Sequence, residues 1–128
     1  MTFKKNTIVI GAIFGGLAVA LGAFGAHALK NILLENQRTD TFELAVRYQF
    51  YHTLALLALA AVSDHLHASK AGWARLAFIV GVVIFSGSLY ILSLSGVTIW
   101  GAVTPIGGVS LITGWVLFGW AAASGDKS

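Results

Sequence analysis

The chain has 128 residues, 57% of them hydrophobic and only 10% charged, with a mean hydropathy of +0.82. That composition excludes an ordinary soluble domain and points to a membrane protein. A net charge of +3 is too small to read as a nucleic-acid footprint, and zero cysteines exclude disulfides, thiolate metal sites and cysteine nucleophiles.

The first element follows Lys4-Lys5. Residues Asn6 to Leu29 carry no formal charge; as a helix they would rise about 36 Å, enough to cross a hydrocarbon core of about 30 Å. Lys4-Lys5 and Ala26-His27-Ala28 also imitate the ends of a cleaved signal peptide. The apolar stretch exceeds the usual signal core of about 7 to 15 residues, so a retained span over 7–29 is expected.

A polar connector follows, and then an apolar run between Arg47 and Asp64 that is too short to span alone. Its helix is expected to begin earlier, near Asp40 and Glu43, which stand three apart as in a capping box. This places the second span at 43–63, with Arg47 at the membrane edge. Leu76 to Gly125 is free of charge and suits a helical hairpin broken near Gly96, Gly101 and Pro105. The third and fourth spans are predicted at 76–95 and 104–123.

The fold class is therefore all-α, a single transmembrane domain over 1–128 arranged as a four-helix bundle. With four spans, Lys4, Lys5, Lys70, Arg75 and Lys127 share one side, and Lys30, Arg38 and Arg47 the other. The excess on the first side predicts both termini in the cytoplasm. Trp73, Trp100 and Trp120 fall near helix ends, where interfacial anchors belong.

Little hydrophobic drive exists between helices in lipid, so small residues mark close approaches. Gly11, Gly15, Ala18, Gly22 and Gly25 draw one stripe on the first helix. Gly81, Ser88 and Ser95 form a second, and Gly107, Gly114 and Ala121 a third. Packing within the bundle is the first reading of these faces; a homo-oligomer through Gly, Ala and Ser faces is the second.

The polar residues of the spans gather toward the extracytoplasmic half: His27, Glu43, Arg47, Tyr48, Gln49, His52, Ser86 and Tyr90, with Ser88, Ser93 and Thr104 nearby. At 100° per residue, Glu43 and Arg47 share one face of their helix, Tyr48 and His52 a nearly opposite one, and Gln49 and Thr53 a third. These residues are the candidate site for a small anion, an ion or a lipid headgroup, with Arg47 as the anchor; the reading is strengthened if His27 also converges there. The alternative is a non-catalytic packing or assembly protein whose polar cluster only fixes helix positions.

No catalytic constellation is expected. A Ser86 or Ser88 nucleophile with His52 lacks a G-x-S-x-G elbow, and the histidines lack HxxxH or HExxH spacing for a metal. Asp64-His-Leu-His67 reads as a solvated connector. No metal, cofactor or nucleic-acid partner is implied; the expected partners are membrane lipids.

Four strings, Gly22-Ala-Phe-Gly-Ala-His27, Arg47-Tyr-Gln-Phe-Tyr-His52, Phe85-Ser-Gly-Ser-Leu-Tyr90 and Thr104-Pro-Ile-Gly-Gly108, together resemble a bacterial membrane family. It is catalogued as domain of unknown function 423, and a small animal transmembrane protein is related to it. The resemblance covers nearly the whole chain. It implies a four-helix integral protein of the bacterial cytoplasmic membrane and brings no reaction, ligand or catalytic residue with it.

Overall fold

The computed structural model describes residues 2–125. Lys127, counted above in the charge balance, lies outside the described residues. Five α-helices and one 3-10 turn make up the described chain, with no strand among them. Helix α1 is Phe3–Ala26, α2 is Lys30–Glu35, α3 is Thr39–Ala61, α4 is Ala68–Ser95 and α5 is Trp100–Ser124. Three of them, α1, α4 and α5, are long and apolar enough to cross a membrane. Helix α3 has 23 residues, but Asp40, Glu43, Arg47, Gln49 and His52 lower its hydropathy.

Local sequence explains most of the boundaries. Thr2 caps α1 by accepting the Lys5 N–H at 3.2 Å, and α1 stops at Ala26 because His27 leaves helical geometry. The expected first span ran to Leu29; those last residues instead form a turn leading into α2, which the sequence reading had as connector. The asparagine at the end of α2 is followed by Gln37 at φ 54, in the left-handed region. Gln37 N–H bonds Leu34 O and Arg38 N–H bonds Leu33 O, the paired closure of a Schellman motif.

The N-cap of α3 is Arg38, which makes no side-chain capping bond. The expected capping box at Asp40 and Glu43 therefore does not form. Asp40 sits inside the first turn, where its charge complements the helix dipole. Helix α4 begins at Ala68, earlier than the expected start at 76, capped by His67 Nδ1 accepting Lys70 N–H at 3.3 Å. It ends where foreseen, at Gly96, whose φ of 73 suits a residue without a Cβ. Helix α5 starts at Trp100, so Pro105 lies in its second turn and not its first.

Helix α1 packs along α3, α3 along α4, and α4 along α5, so the two central helices carry the flanking ones. Glycines set the closest approaches. A Cβ on Gly25 would stand 2.6 Å from the Phe42 ring, one on Gly114 would stand 2.6 Å from Phe78, and one on Gly107 would meet the Phe85 backbone. Phe78, fully buried, packs with Ala55, Leu56, Val82 and Leu111 at the centre. The small-residue stripes are thus used largely for contacts inside the chain.

The outer surface is apolar in a way water would not tolerate: Val19, Val109 and Ile112 are 63%, 65% and 65% exposed. Several polar contacts between elements sit at the two ends. At one end Lys4 Nζ meets Asp64 Oδ2 at 2.9 Å, Lys70 Nζ donates to Ser124 Oγ at 2.7 Å, and the Arg75 guanidinium lies 4.3 Å from the Phe3 ring centre. The Lys4 ammonium holds the exposed Asp64 carboxyl below the usual carboxylate range. At the other end Asn36 Nδ2 donates to the last carbonyls of α4, Ser93 O at 2.9 Å and Leu94 O at 3.2 Å.

Candidate functional site

Helix α3 divides the predicted site between two surroundings. Gln49, His52, Ser86 and Tyr90 turn into the protein, where each finds a partner. Gln49 Nε2 donates to Phe14 O at 2.8 Å, and Gln49 Oε1 accepts the Tyr90 hydroxyl at 2.6 Å. One amide thereby joins α1, α3 and α4. Ser86 Oγ donates to Ala45 O at 2.7 Å, tying α4 to α3 a second time. Ser88 and Thr104 share a hydrogen bond of 2.6 Å between α4 and α5.

His52 is fixed by both ring nitrogens. Nδ1 lies 2.7 Å from Tyr48 O, and a carbonyl can only accept, so Nδ1 carries the proton. Nε2 then accepts the indole N–H of Trp115 at 3.1 Å. The ring is a neutral imidazole with no lone pair left for a metal or a ligand. Tyr48 lies beside it, stacked on Phe85 with ring centroids 4.7 Å apart.

The other face of α3 borders a groove of about 500 Å³ formed with the end of α1 and one face of α2. Glu43 and Arg47 line it, and Lys30 enters from α2. Thr39 adds a hydroxyl at its rim. Leu33, Phe42 and Val46 make apolar walls, and Gly22 leaves the floor open along α1, while Gly25 is covered by the Phe42 ring. Glu43 and Arg47 are both exposed, and although they share a helix face no ion pair joins them; among the described residues the ion pair is Lys4 with Asp64.

Of the eight candidate residues, then, Glu43 and Arg47 come together in the groove, while Tyr48, Gln49, His52, Ser86 and Tyr90 form the interior network. His27 belongs to neither. It is exposed at the end of α1, is not part of the groove lining, and bonds through its backbone N–H to Phe24 O at 3.2 Å. Convergence on Arg47, which would have strengthened the site, is not what the chain builds, because α1 ends before His27 and the turn carries it outward.

Lys30 and Thr39 were missed as site residues. Lys30 entered the charge count only, because residues 30–38 were read as connector. The signal for α2 was the pair Leu33-Leu34 inside that polar stretch: a short helix needs one apolar residue to dock, and Leu33 is 1% exposed.

A family model described as protein of unknown function (DUF423) matches residues 21–108. The chain is 43% identical over 117 residues to the UPF0382 membrane protein YwdK of Bacillus subtilis (strain 168), an overlap of 88% of this chain and 92% of that one. It is 41% identical over 114 residues to the UPF0382 inner membrane protein YgdD of Escherichia coli (strain K12), covering 89% and 86%. A UPF0382 membrane protein of Staphylococcus saprophyticus is 44% identical over 115 residues, covering 88% and 92%. No solved structure matches. The family match takes in every groove residue and all of α3 and α4, and the chain belongs to the DUF423 family of membrane proteins.

Proposed function

We propose that all four long helices, α3 included, cross a bacterial inner membrane as one transmembrane domain, a four-helix bundle with both termini in the cytoplasm. In this reading the α1–α2–α3 groove opens at the extracytoplasmic surface and binds a phosphate-bearing anion or lipid headgroup. The observation that carries the binding reading is the pair of cations in it: Lys30 and Arg47 line one groove, and among the described residues neither side chain has an ion pair or hydrogen-bond partner.

Two features support α3 as a span. Below Arg47, Gln49 is satisfied by α1 and α4, and His52 by α5 and by its own helix, which removes for these two the cost of several kcal/mol, in order of magnitude, of a bare polar group in lipid; the buried Thr53 hydroxyl has no partner. Its charged residues sit in the first turns, where a snorkelling side chain reaches headgroups. Orientation rests on charge: Lys4, Lys5, Lys70 and Arg75 against Lys30, Arg38 and Arg47. A single cysteine at position 37 should react with an impermeant thiol reagent on intact cells; protection there reverses the orientation.

The binding reading is tested by native mass spectrometry from lipid nanodiscs. Wild type should retain phospholipid that Arg47→Ala and Lys30→Ala lose, and equal retention by all three rejects it. A packing or assembly role, including a homo-oligomer, is the second reading, favoured for Gln49, His52, Ser86 and Tyr90 by the closed network they form.

A further inference from the structure

The groove is mixed in charge. Glu43 stands one helical turn before Arg47 on the same wall, the spacing and order at which Glu and Arg ordinarily pair and contribute about 0.2 to 0.5 kcal/mol. Here they do not pair, and neither engages Lys30. Three charged groups, two positive and one negative, therefore face a single concavity with their charges unspent inside the protein. Under them lie apolar walls, Leu33, Phe42 and Val46, and an open floor at Gly22.

A purely anionic ligand fits that set imperfectly. Its phosphate would satisfy Lys30 and Arg47 but leave Glu43 beside a like charge. A trimethylammonium headgroup balances the charge, yet offers the Glu43 carboxylate no N–H to accept. A primary ammonium two carbons from a phosphate ester satisfies all three groups with charge-assisted contacts. The apolar walls then take the first methylenes of acyl chains, which a soluble zwitterion lacks.

We propose that the groove seats one phospholipid whose headgroup carries a phosphate and a primary ammonium, with Lys30 and Arg47 holding the phosphate and Glu43 selecting the ammonium. This assignment rests on the phosphate-binding reading of the same groove. Glu43 is the specificity-determining residue, and exchanging its charge re-sorts the lipids without abolishing binding.

The experiment is competitive native mass spectrometry from nanodiscs of equal phosphatidylethanolamine, phosphatidylglycerol and phosphatidylcholine with matched acyl chains. Wild type should retain phosphatidylethanolamine by roughly fivefold over each of the others, the selectivity that one exposed ion pair supplies. Glu43→Gln should bring phosphatidylglycerol level with phosphatidylethanolamine while total bound phospholipid persists. Equal retention of the two lipids by wild type, or an unchanged preference in Glu43→Gln, overturns the ammonium assignment; the phosphate reading survives that result if Arg47→Ala and Lys30→Ala lose lipid. If those two variants keep what wild type keeps, both readings fall. Displacement of bound lipid by millimolar O-phosphoethanolamine would assign the groove to a soluble zwitterion and reject the lipid. All three side chains are exposed, and unchanged circular dichroism and elution volume identify variants that fold normally.

Discussion

Trp115 donates its indole N–H to His52 Nε2 at 3.1 Å, and this bond joins α5 to α3 although the two helices otherwise barely meet. The imidazole completes the chain by donating from Nδ1 to Tyr48 O. Trp115→Phe keeps an aromatic side chain but loses the indole N–H and part of the ring packed on Phe78 and Phe118, so it should cost about 1 to 2 kcal/mol, an interhelical hydrogen bond plus lost packing. His52→Ala also opens a cavity beside Phe78 and should cost about 2 to 3 kcal/mol. Thermal unfolding in mild detergent, read by intrinsic fluorescence or circular dichroism, should rank wild type above Trp115→Phe above His52→Ala.

Gln49 and Tyr90 act as one unit. Tyr90→Phe leaves the buried Gln49 Oε1 without its donor, while Gln49→Leu removes the α1 contact at Phe14 as well. Each single substitution should destabilise by about 1 kcal/mol, and the double mutant by less than their sum. A coupling near zero in that cycle would mean the 2.6 Å bond contributes nothing to folding.

Glycines of the same helical character should respond in opposite ways. Gly107→Ala drives a Cβ into the Phe85 backbone, which cannot yield as a side chain would, and should cost about 2 to 3 kcal/mol. Gly16→Ala meets nothing within 4 Å and should be neutral or stabilising by up to about 1 kcal/mol. Detergent melting temperatures of the two variants measured side by side decide the point.

Gln37→Gly relieves the non-glycine residue that closes α2 in the left-handed region. The gain should be about 0.5 to 1 kcal/mol, seen as a raised unfolding midpoint, with slower amide exchange at Arg38, whose N–H completes the closure. An unchanged midpoint would show that the turn carries no strain.

Much of this architecture was legible along the chain. Lys4-Lys5, the charge-free run after them, the break at Gly96 and the paucity of charge all express solvent preference, a property each residue carries with it. The boundaries that shifted are the end of α1, at Ala26 in place of Leu29, and the starts of α4 and α5, at Ala68 and Trp100. Lys70 and Arg75 occupy the early turns of α4, whereas α3 starts at Thr39, beside Asp40 as expected. Helix α2 escaped because its docking depends on Leu33 reaching a surface made by other helices.

The candidate site was legible as a composition and not as an arrangement. Sequence by itself determined that the polar residues of α3 could not face acyl chains, and that its 100° rotation per residue put them on separate faces. Only the tertiary structure decided which face became an interior network and which a groove. The reason is distance along the chain: the partners of Gln49 at Phe14 and Tyr90 lie 35 and 41 residues away, and that of His52 at Trp115 lies 63 away. No local pattern encodes such pairings; they exist once the helices pack, and Glu43 and Arg47 are left to the groove because α1 and α2 bring no side chain that pairs with them.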